Sequence, residues 1–123
     1  MQVGKLKTND FKDLRFKGST YKTSQFLFVY RVLEDSIENK LFFGSTVTKK
    51  IGNAVLRNRS KRIIREVMRN FLSSQTLFVV DKNKSYKLVY LNIVVLKSSQ
   101  NTIGYLNASK QFSKFFDFLK NSA

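Results

Sequence analysis

Residues 49–69 read Lys49-Lys50-Ile51-Gly52-Asn53-Ala54-Val55-Leu56-Arg57-Asn58-Arg59-Ser60-Lys61-Arg62-Ile63-Ile64-Arg65-Glu66-Val67-Met68-Arg69. Gly52 permits a tight turn, and Asn53 can cap a helix by accepting a backbone N–H of the first turn. At about 100° per residue, the apolar side chains that follow fall on one helical face. That face comprises Leu56, Ser60, Ile63, Ile64, Val67 and Phe71, with Met68 at its margin. The pattern predicts a strand end, a turn and an amphipathic helix packed on a core.

The opposite side of the predicted helix is basic. Its members are Arg57, Asn58, Lys61, Arg62, Arg65 and Arg69, and Glu66 is the only carboxylate of the helix. Solvated faces usually mix both signs of charge, and cations near a helix N-terminus, here Arg57 and Arg59, cost roughly a few tenths of a kcal/mol each. An anionic partner would offset that cost. Because guanidinium groups bind phosphate bidentately, a polyanion with regularly spaced phosphates is the expected ligand.

The run from Lys50 to Glu66 closely resembles the signature of the bacterial ribonuclease P protein component. It combines a Lys-x-Gly-Asn-Ala-Val segment, an Arg-Asn-Arg core, Lys-Arg and a further Arg at fixed spacing. The resemblance implies a small protein subunit bound to a catalytic RNA that matures the 5′ end of precursor tRNA. It also implies the residues that hold the RNA subunit: Lys49, Lys50, Asn53, Arg57, Asn58, Arg59, Lys61, Arg62 and Arg65.

Composition narrows the possible functions. The 123 residues suit one domain, and a formal net charge of +15 favours a nucleic acid or an anionic membrane surface as partner. No apolar run has transmembrane length and no signal-peptide pattern is present, so no membrane partner is expected. Cysteine and histidine are absent, which leaves no disulfide partner and no thiolate nucleophile and removes the commonest metal ligand. With only eight carboxylates, we assign no catalytic and no metal-ligating residue, and we predict a cytoplasmic binding protein.

The N-terminal region is predicted to have two parts. Residues 1–7 are basic and unpatterned, which indicates a flexible arm that touches RNA. A short helix is then predicted from Thr8 to Gly18, with Leu14 in the core.

The same helix carries the first part of a predicted cleft. The family resemblance implies that Phe11 lines a cleft for the single-stranded 5′ leader of the substrate. A second aromatic usually follows four residues later, where this chain has Arg15, which can stack on a base or bind a phosphate. The neighbouring Phe16 can face either the cleft or the core, and the sequence leaves that choice open.

Alternating side chains predict strands over residues 25–33 and 41–50, joined by a polar hairpin connection over residues 34–40, with a small additional strand over 20–23. By resemblance, Leu27 and Val29 point toward the leader cleft. The family commonly has tyrosine where Val29 stands, which reduces the capacity for stacking here.

The C-terminal part predicts a buried strand over residues 87–97 and a helix over 102–120. The helix carries an apolar stripe taken as core: Leu106, Phe112, Phe115, Phe116 and Leu119. Residues between 73 and 88 exceed the usual family length, and they either extend the basic helix or build an added hairpin.

These elements predict a single α/β (α+β) domain over residues 1–123, a two-layer sandwich of about four strands and three helices in the order αβββαβα. The resemblance implies a ribosomal-protein-like fold with a left-handed crossover through the basic helix. It also implies binding to the ribonuclease P RNA subunit and to precursor tRNA, with magnesium at the RNA active site and none bound by the protein alone.

Three other functions are compatible with parts of the pattern. A structural RNA-binding protein of ribosomal type would use the same helix without processing RNA. A self-sufficient nuclease would need paired carboxylates, which are scattered here. A DNA-binding helix-turn-helix is disfavoured because the elements around the basic helix read as strands.

Overall fold

Five strands and three helices follow one another in the computed structural model, which describes residues 2–36, 40–73, 86–96 and 104–121. In chain order they are β1 (Gln2–Lys5), α1 (Thr8–Lys17), β2 (Ser19–Lys22), β3 (Phe26–Ser36), β4 (Lys40–Thr46), α2 (Ala54–Ser73), β5 (Tyr86–Val95) and α3 (Tyr105–Asn121). A 3₁₀ turn at Lys49–Ile51 joins β4 to α2. The predicted α+β class with three helices is confirmed, and the sheet has one strand more than expected.

The strands form one sheet in the order β1-β4-β5-β3-β2. The pairs β1–β4 and β4–β5 are parallel, whereas β5–β3 and β3–β2 are antiparallel. The predicted hairpin between β3 and β4 is therefore wrong, because β5 lies between them. The strand β5 is mostly apolar, with Asn92 as a polar exception, and such a strand is stabilised by a central position between two neighbouring strands.

The first strand also differs from the prediction of a flexible arm over residues 1–7. Residues Gln2–Lys5 pair in parallel with β4 instead of forming a flexible arm, and the backbone N–H of Leu6 donates to the carbonyl of Phe43. A segment of four residues is too short to show a period of two in the sequence. Gly4 allows β1 to approach β4 closely. A Cβ at Gly4 would lie 2.6 Å from the ring of Phe42 on the neighbouring strand.

Helices α2 and α3 cover one face of the sheet. The core on that face includes Phe26 and Phe28 of β3, and Phe28 stacks on Phe115 of α3 with ring centroids 4.4 Å apart. From α2, Ile64 and Val67 are fully packed into the same cluster. This face forms the two-layer sandwich that the apolar periodicities predict.

Two sequence predictions meet different outcomes in the C-terminal part. Leu106 is 74% exposed, so its assignment to the core stripe of α3 is wrong. At about 100° per residue it lies far around the helix from Phe112 and Phe115, which are buried. The structure of the segment between 73 and 88 stays a prediction, since residues 74–85 lie outside the described part of the chain.

Helix α1 covers part of the opposite face of the sheet, which we call the open sheet face. Leu14 is buried under it, as predicted. Two glycines allow the close approach: a Cβ at Gly44 would lie 2.6 Å from Cζ of Phe11, and a Cβ at Gly18 would lie 3.0 Å from Cγ1 of Val29. The half-buried part of the open sheet face beside α1, which carries Leu27, Val29, Asn92 and Val94, is what we call the groove.

Candidate nucleic-acid interface

The start of α2 is built by the turn and cap that the sequence predicts. Gly52 has a φ of 147°, in the region that favours glycine, and a Cβ there would lie 2.7 Å from Cδ1 of Leu56. The side-chain Oδ1 of Asn53 accepts a hydrogen bond from the backbone N–H of Leu56 at 3.0 Å. Asn53 therefore uses its side-chain carbonyl oxygen as the cap, and its amide N–H groups remain available to a ligand.

The predicted core face of α2 is confirmed by burial. Ile63, Ile64, Val67 and Met68 are all buried. Ser60 is buried as well, and its hydroxyl donates to the backbone carbonyl of Leu56 at 3.0 Å, so its polar atom is satisfied inside the core. With this face held against the sheet, the other side of α2 must face solvent.

That outward side, together with the 3₁₀ turn before it, forms what we call the basic surface. Most of its predicted members are exposed: Lys49, Lys50, Asn53, Asn58, Arg59, Lys61, Arg62 and Arg65. The structure thus brings eight of the nine predicted residues to one contiguous segment of accessible chain. Glu66 is the single carboxylate within α2, so the positive potential there is scarcely opposed.

Arg57, the ninth residue, does not lie on the solvent side as predicted. Its side chain is half-buried, and its Nε is fully buried without a hydrogen-bond partner within the described residues. The reason is angular, since Arg57 lies about 100° from Leu56 and shares a sector of the helix with the buried Ile64 and Met68. A buried, unpartnered guanidinium N–H lowers the stability of the fold.

The predicted leader-cleft residues lie on the open sheet face and on α1. One cross-strand row of the face runs Gly44–Asn92–Val29–Thr20, and the next runs Thr46–Val94–Leu27–Lys22. Phe11 is half-buried over Gly44, so it stands at one end of the first row while Val29 stands further along it. Leu27 and Val29 are half-buried, and the structure therefore brings Phe11, Leu27 and Val29 to one side of the sheet.

Arg15 and Phe16, the two other residues of α1 considered for the cleft, are exposed. Arg15 lies near the flank that carries Phe11, about 40° further around the helix, and is free of the core. Phe16 is 75% exposed and lies nearly opposite the buried Leu14, so it does not belong to the core.

Three residues of the groove were missed at the sequence level. Lys22 extends the row that holds Leu27, and Thr46 and Asn92 form a side-chain hydrogen bond on the floor, with Thr46 Oγ1 donating to Asn92 Oδ1 at 3.0 Å. Asn92 stands within an apolar run that reads as core. The available signal is its polarity in that run, and its face becomes clear only once the strand alternation is fixed.

Within residues 2–36, 40–73, 86–96 and 104–121, no three carboxylates gather, and Asp10 is occupied in accepting the backbone N–H of Lys7 at 2.8 Å. Among the helices described, none is long and apolar enough to cross a membrane.

The fold and this surface define a class: small, strongly basic α+β proteins in which a cation-lined helix borders a half-covered sheet. The model of the family Ribonuclease P matches residues 5–117. The chain belongs to the ribonuclease P protein family.

Individual relatives agree with this membership. The chain is 43% identical over 77 residues to a ribonuclease P protein component of Syntrophus aciditrophicus, covering 52% of this chain and 65% of that protein. For relatives from Bacillus pumilus and Bacillus velezensis the chain spans only 50% and 52% of their lengths. A relative from Staphylococcus aureus is matched more fully, with 32% identity over 112 residues, 88% of this chain and 90% of that protein.

Solved structures support the fold. The RNase P protein from Thermotoga maritima superposes with a TM-score of 0.68 at 16% identity, covering 91% of this chain and 94% of that one. The RNase P protein of Staphylococcus aureus gives a TM-score of 0.63 at 22% identity, covering 94% of each chain. At these identities the likeness concerns the fold alone.

Proposed function

We propose that this chain is the protein subunit of a ribonuclease P, which removes the 5′ leader of precursor tRNA by magnesium-dependent endonucleolytic hydrolysis and leaves a 5′-phosphate on the tRNA. The observation that carries the proposal is the junction of two surfaces. Strand β4 leaves the sheet at Thr46, in the row that contains Leu27, and the basic surface begins shortly afterwards at Lys49. An RNA held on the basic surface would therefore deliver a single strand to the groove beside α1.

The basic surface is proposed to hold the catalytic RNA subunit. Arginine forks suit phosphate oxygens, and Asn58 can both donate to and accept from a ribose or a base edge. Arg57 is half-buried, so a phosphate would be bound by the outer N–H groups of its guanidinium and not by the buried Nε. Neutralising phosphates would also lower the magnesium concentration that the RNA requires.

The groove is proposed to hold the single-stranded leader. Unpaired bases bind aromatic and apolar side chains through their faces, and Phe11, Leu27 and Val29 offer such surfaces on one side of the sheet. Arg15, exposed on α1, would contact the leader backbone.

The chemistry is assigned to the RNA subunit, with magnesium bound there. This chain has no histidine and no cysteine, and its described carboxylates form no metal-binding group. Its residues would bind, position and screen charge, in the cytoplasm, while the RNA activates the water and cuts the phosphodiester.

Reconstitution tests the proposal. Purified protein is added to a bacterial ribonuclease P RNA at low magnesium, and cleavage of precursor tRNA is followed. We expect stimulation that depends on both components. Cleavage by the protein alone, or the absence of any effect on the RNA, would contradict the proposal, and RNA binding without stimulation would favour a structural RNA-binding protein instead.

A paired substitution on α1 tests the groove. Phe11→Ala should weaken binding of leader-bearing precursor by about 1–3 kcal/mol, the usual value of one base–aromatic contact, and leave mature tRNA little affected. Phe16→Ala, on the solvent side of the same helix, is the matched control and should change neither. Equal losses for both substrates with Phe11→Ala would remove Phe11 from the groove.

A further inference from the structure

We infer that Asn92, oriented by Thr46, is a specificity-determining residue that donates hydrogen bonds to a nucleobase of the bound single strand. This inference rests on the proposed function and adds to it a polar contact that the apolar groove otherwise lacks.

The position of Asn92 places it between two groove residues. It is the direct cross-strand partner of Gly44, on which Phe11 packs, and of Val29 on the other side. Its neighbours along β5, Leu91 and Ile93, are fully buried on the helical side, so strand alternation turns Asn92 to the open sheet face. A single strand that touches Phe11 and Val29 must pass over Asn92.

Of the two polar atoms of the Asn92 side chain, only Oδ1 has a hydrogen-bond partner within the described residues. Its Oδ1 accepts from Thr46 Oγ1 at 3.0 Å, which sets the direction of the amide plane. Its Nδ2 has no partner within the described residues, and it remains accessible, because Arg57 Nε is the only fully buried and unpartnered side-chain nitrogen or oxygen found among them. The two N–H donors of Asn92 are thus without a partner among the described residues and are not fully buried.

The contribution of Asn92 to folding stability favours a role in ligand binding. A half-buried amide with unsatisfied donors, surrounded by Val29 and Val94, contributes less to folding than an apolar side chain at the same place in a sheet. An acceptor from a base would recover that loss when the strand binds. Asparagine is a frequent reader of base edges, because one amide presents donor and acceptor atoms side by side.

The nucleobase is favoured over the phosphate as the acceptor. Phosphate contacts in this chain are available from arginine and lysine, which are charged and far stronger, and the cations Lys22 and Arg15 are exposed near the groove. A neutral amide on an apolar floor is suited instead to a base that lies flat against Phe11 or Val29 and turns its edge toward the sheet.

The test uses the holoenzyme reconstituted from this protein and a ribonuclease P RNA. Binding is measured for precursor tRNA whose leader crosses the groove, with one abasic nucleotide moved through each leader position, and for mature tRNA. With the native protein, removal of the base at one leader position should weaken binding about three- to tenfold more than the same removal does with Asn92→Leu. The loss that remains in the variant is the stacking of that base, and mature tRNA should bind both proteins equally.

Two further variants test whether the Thr46 hydroxyl acts by orienting the Asn92 amide and not by the size of the side chain at position 46. Thr46→Val removes the hydroxyl with little change of shape and should weaken the same base dependence, whereas Thr46→Ser should retain it. The melting temperature of Asn92→Leu should equal or exceed that of the native protein, which shows that the binding loss is not a folding defect.

The inference is overturned if Asn92→Leu gives the same abasic profile as the native protein, or if no leader position depends on its base. A 2′-deoxy substitution that reproduces the loss, where the abasic one does not, would assign the contact to the sugar and also overturn it. These outcomes differ from failure of the proposed function, in which the native protein would not stimulate the RNA at all.

Discussion

At the scale of the residue, Arg57 shows how a functional side chain can conflict with folding. Its neighbours Asn58 and Arg59 are exposed, whereas Arg57 is half-buried with an unpartnered Nε. A motif read only as a run of cations treats the three as equivalent. Helical geometry separates them, since successive residues differ by about 100° and the first arginine falls beside the core stripe.

Replacing Arg57 by methionine should therefore separate binding from stability. The variant keeps an unbranched apolar stem and removes the buried donor, so its melting temperature should be unchanged or higher. RNA affinity should fall by about 1.5–3 kcal/mol, the usual range for a hydrogen bond to a charged group. Arg69→Met, at an exposed position of α2, is the control for the change of residue type. A clear drop in melting temperature for Arg57→Met alone would mean that the guanidinium stabilises the fold.

At the scale of the element, α3 is tied to the turn between β2 and β3 by one buried side chain. Gln111 Oε1 accepts from the hydroxyl of Thr23 at 2.6 Å and from the backbone N–H of Gln25 at 2.9 Å. Its Nε2 donates to Gln25 Oε1 at 2.8 Å. These three hydrogen bonds, which we call the Gln111 clasp, hold the turn that follows Lys22 at the end of β2.

Gln111→Leu should consequently destabilise the protein by about 2–4 kcal/mol, because it removes three side-chain hydrogen bonds, two of which are buried. Urea denaturation followed by circular dichroism measures the change. Lys114→Leu, on the exposed side of α3, controls for the added apolar surface and should cost little. Similar stabilities for the two variants would show that water replaces the clasp without loss.

The strand β1 is the element that local sequence concealed. It is only four residues long, and its pairing with β4 brings together parts of the chain separated by α1, β2 and β3. Such a pairing has no local periodic signature, which is why residues 1–7 read as an arm.

Removal of residues 1–5 gives a direct test of this strand. It should lower the free energy of unfolding by about 1–3 kcal/mol, since the deletion uncovers the edge of β4 beside the buried Leu41. Lys5→Gln, which keeps the strand but loses a charge, should leave stability unchanged. A truncated protein as stable as the full chain would restore the flexible-arm interpretation.

At the scale of the whole molecule, the distribution of charge matters as much as its amount. A formal net charge of +15 attracts any polyanion, but the basic surface gathers most of its cations on one helix and the turn before it, next to the groove. Specific RNA binding should therefore depend on where the charges lie.

Two triple variants of equal net charge test this dependence. Replacing Arg59, Arg62 and Arg65 by glutamine should flatten the dependence of log K on log salt by about 0.7–0.9 for each RNA phosphate that the protein no longer neutralises. Replacing the exposed Lys12, Lys110 and Lys114 by glutamine removes the same charge elsewhere and should change the slope much less. Equal slopes for the two variants would indicate non-specific attraction by the whole protein.

The local pattern of the sequence determined the helix α2, its cap at Asn53, its core and basic faces, and the alternation of β3. Each of these follows from a period or a turn contained within a few consecutive residues. The groove was predictable only in part. Phe11, Leu27 and Val29 came from the family resemblance, whereas the polarity of Asn92 within an apolar run does not by itself show which face of the sheet it occupies or that it pairs with Thr46.

Only the tertiary structure decided the rest: the insertion of β5 between β3 and β4, the strand β1, the burial of Arg57 and the pairing of Thr46 with Asn92. All four depend on contacts between residues far apart along the chain or on the direction in which a helix packs. Those contacts are selected by the joint burial of apolar surface across the sheet, a property of the folded molecule that no single segment carries.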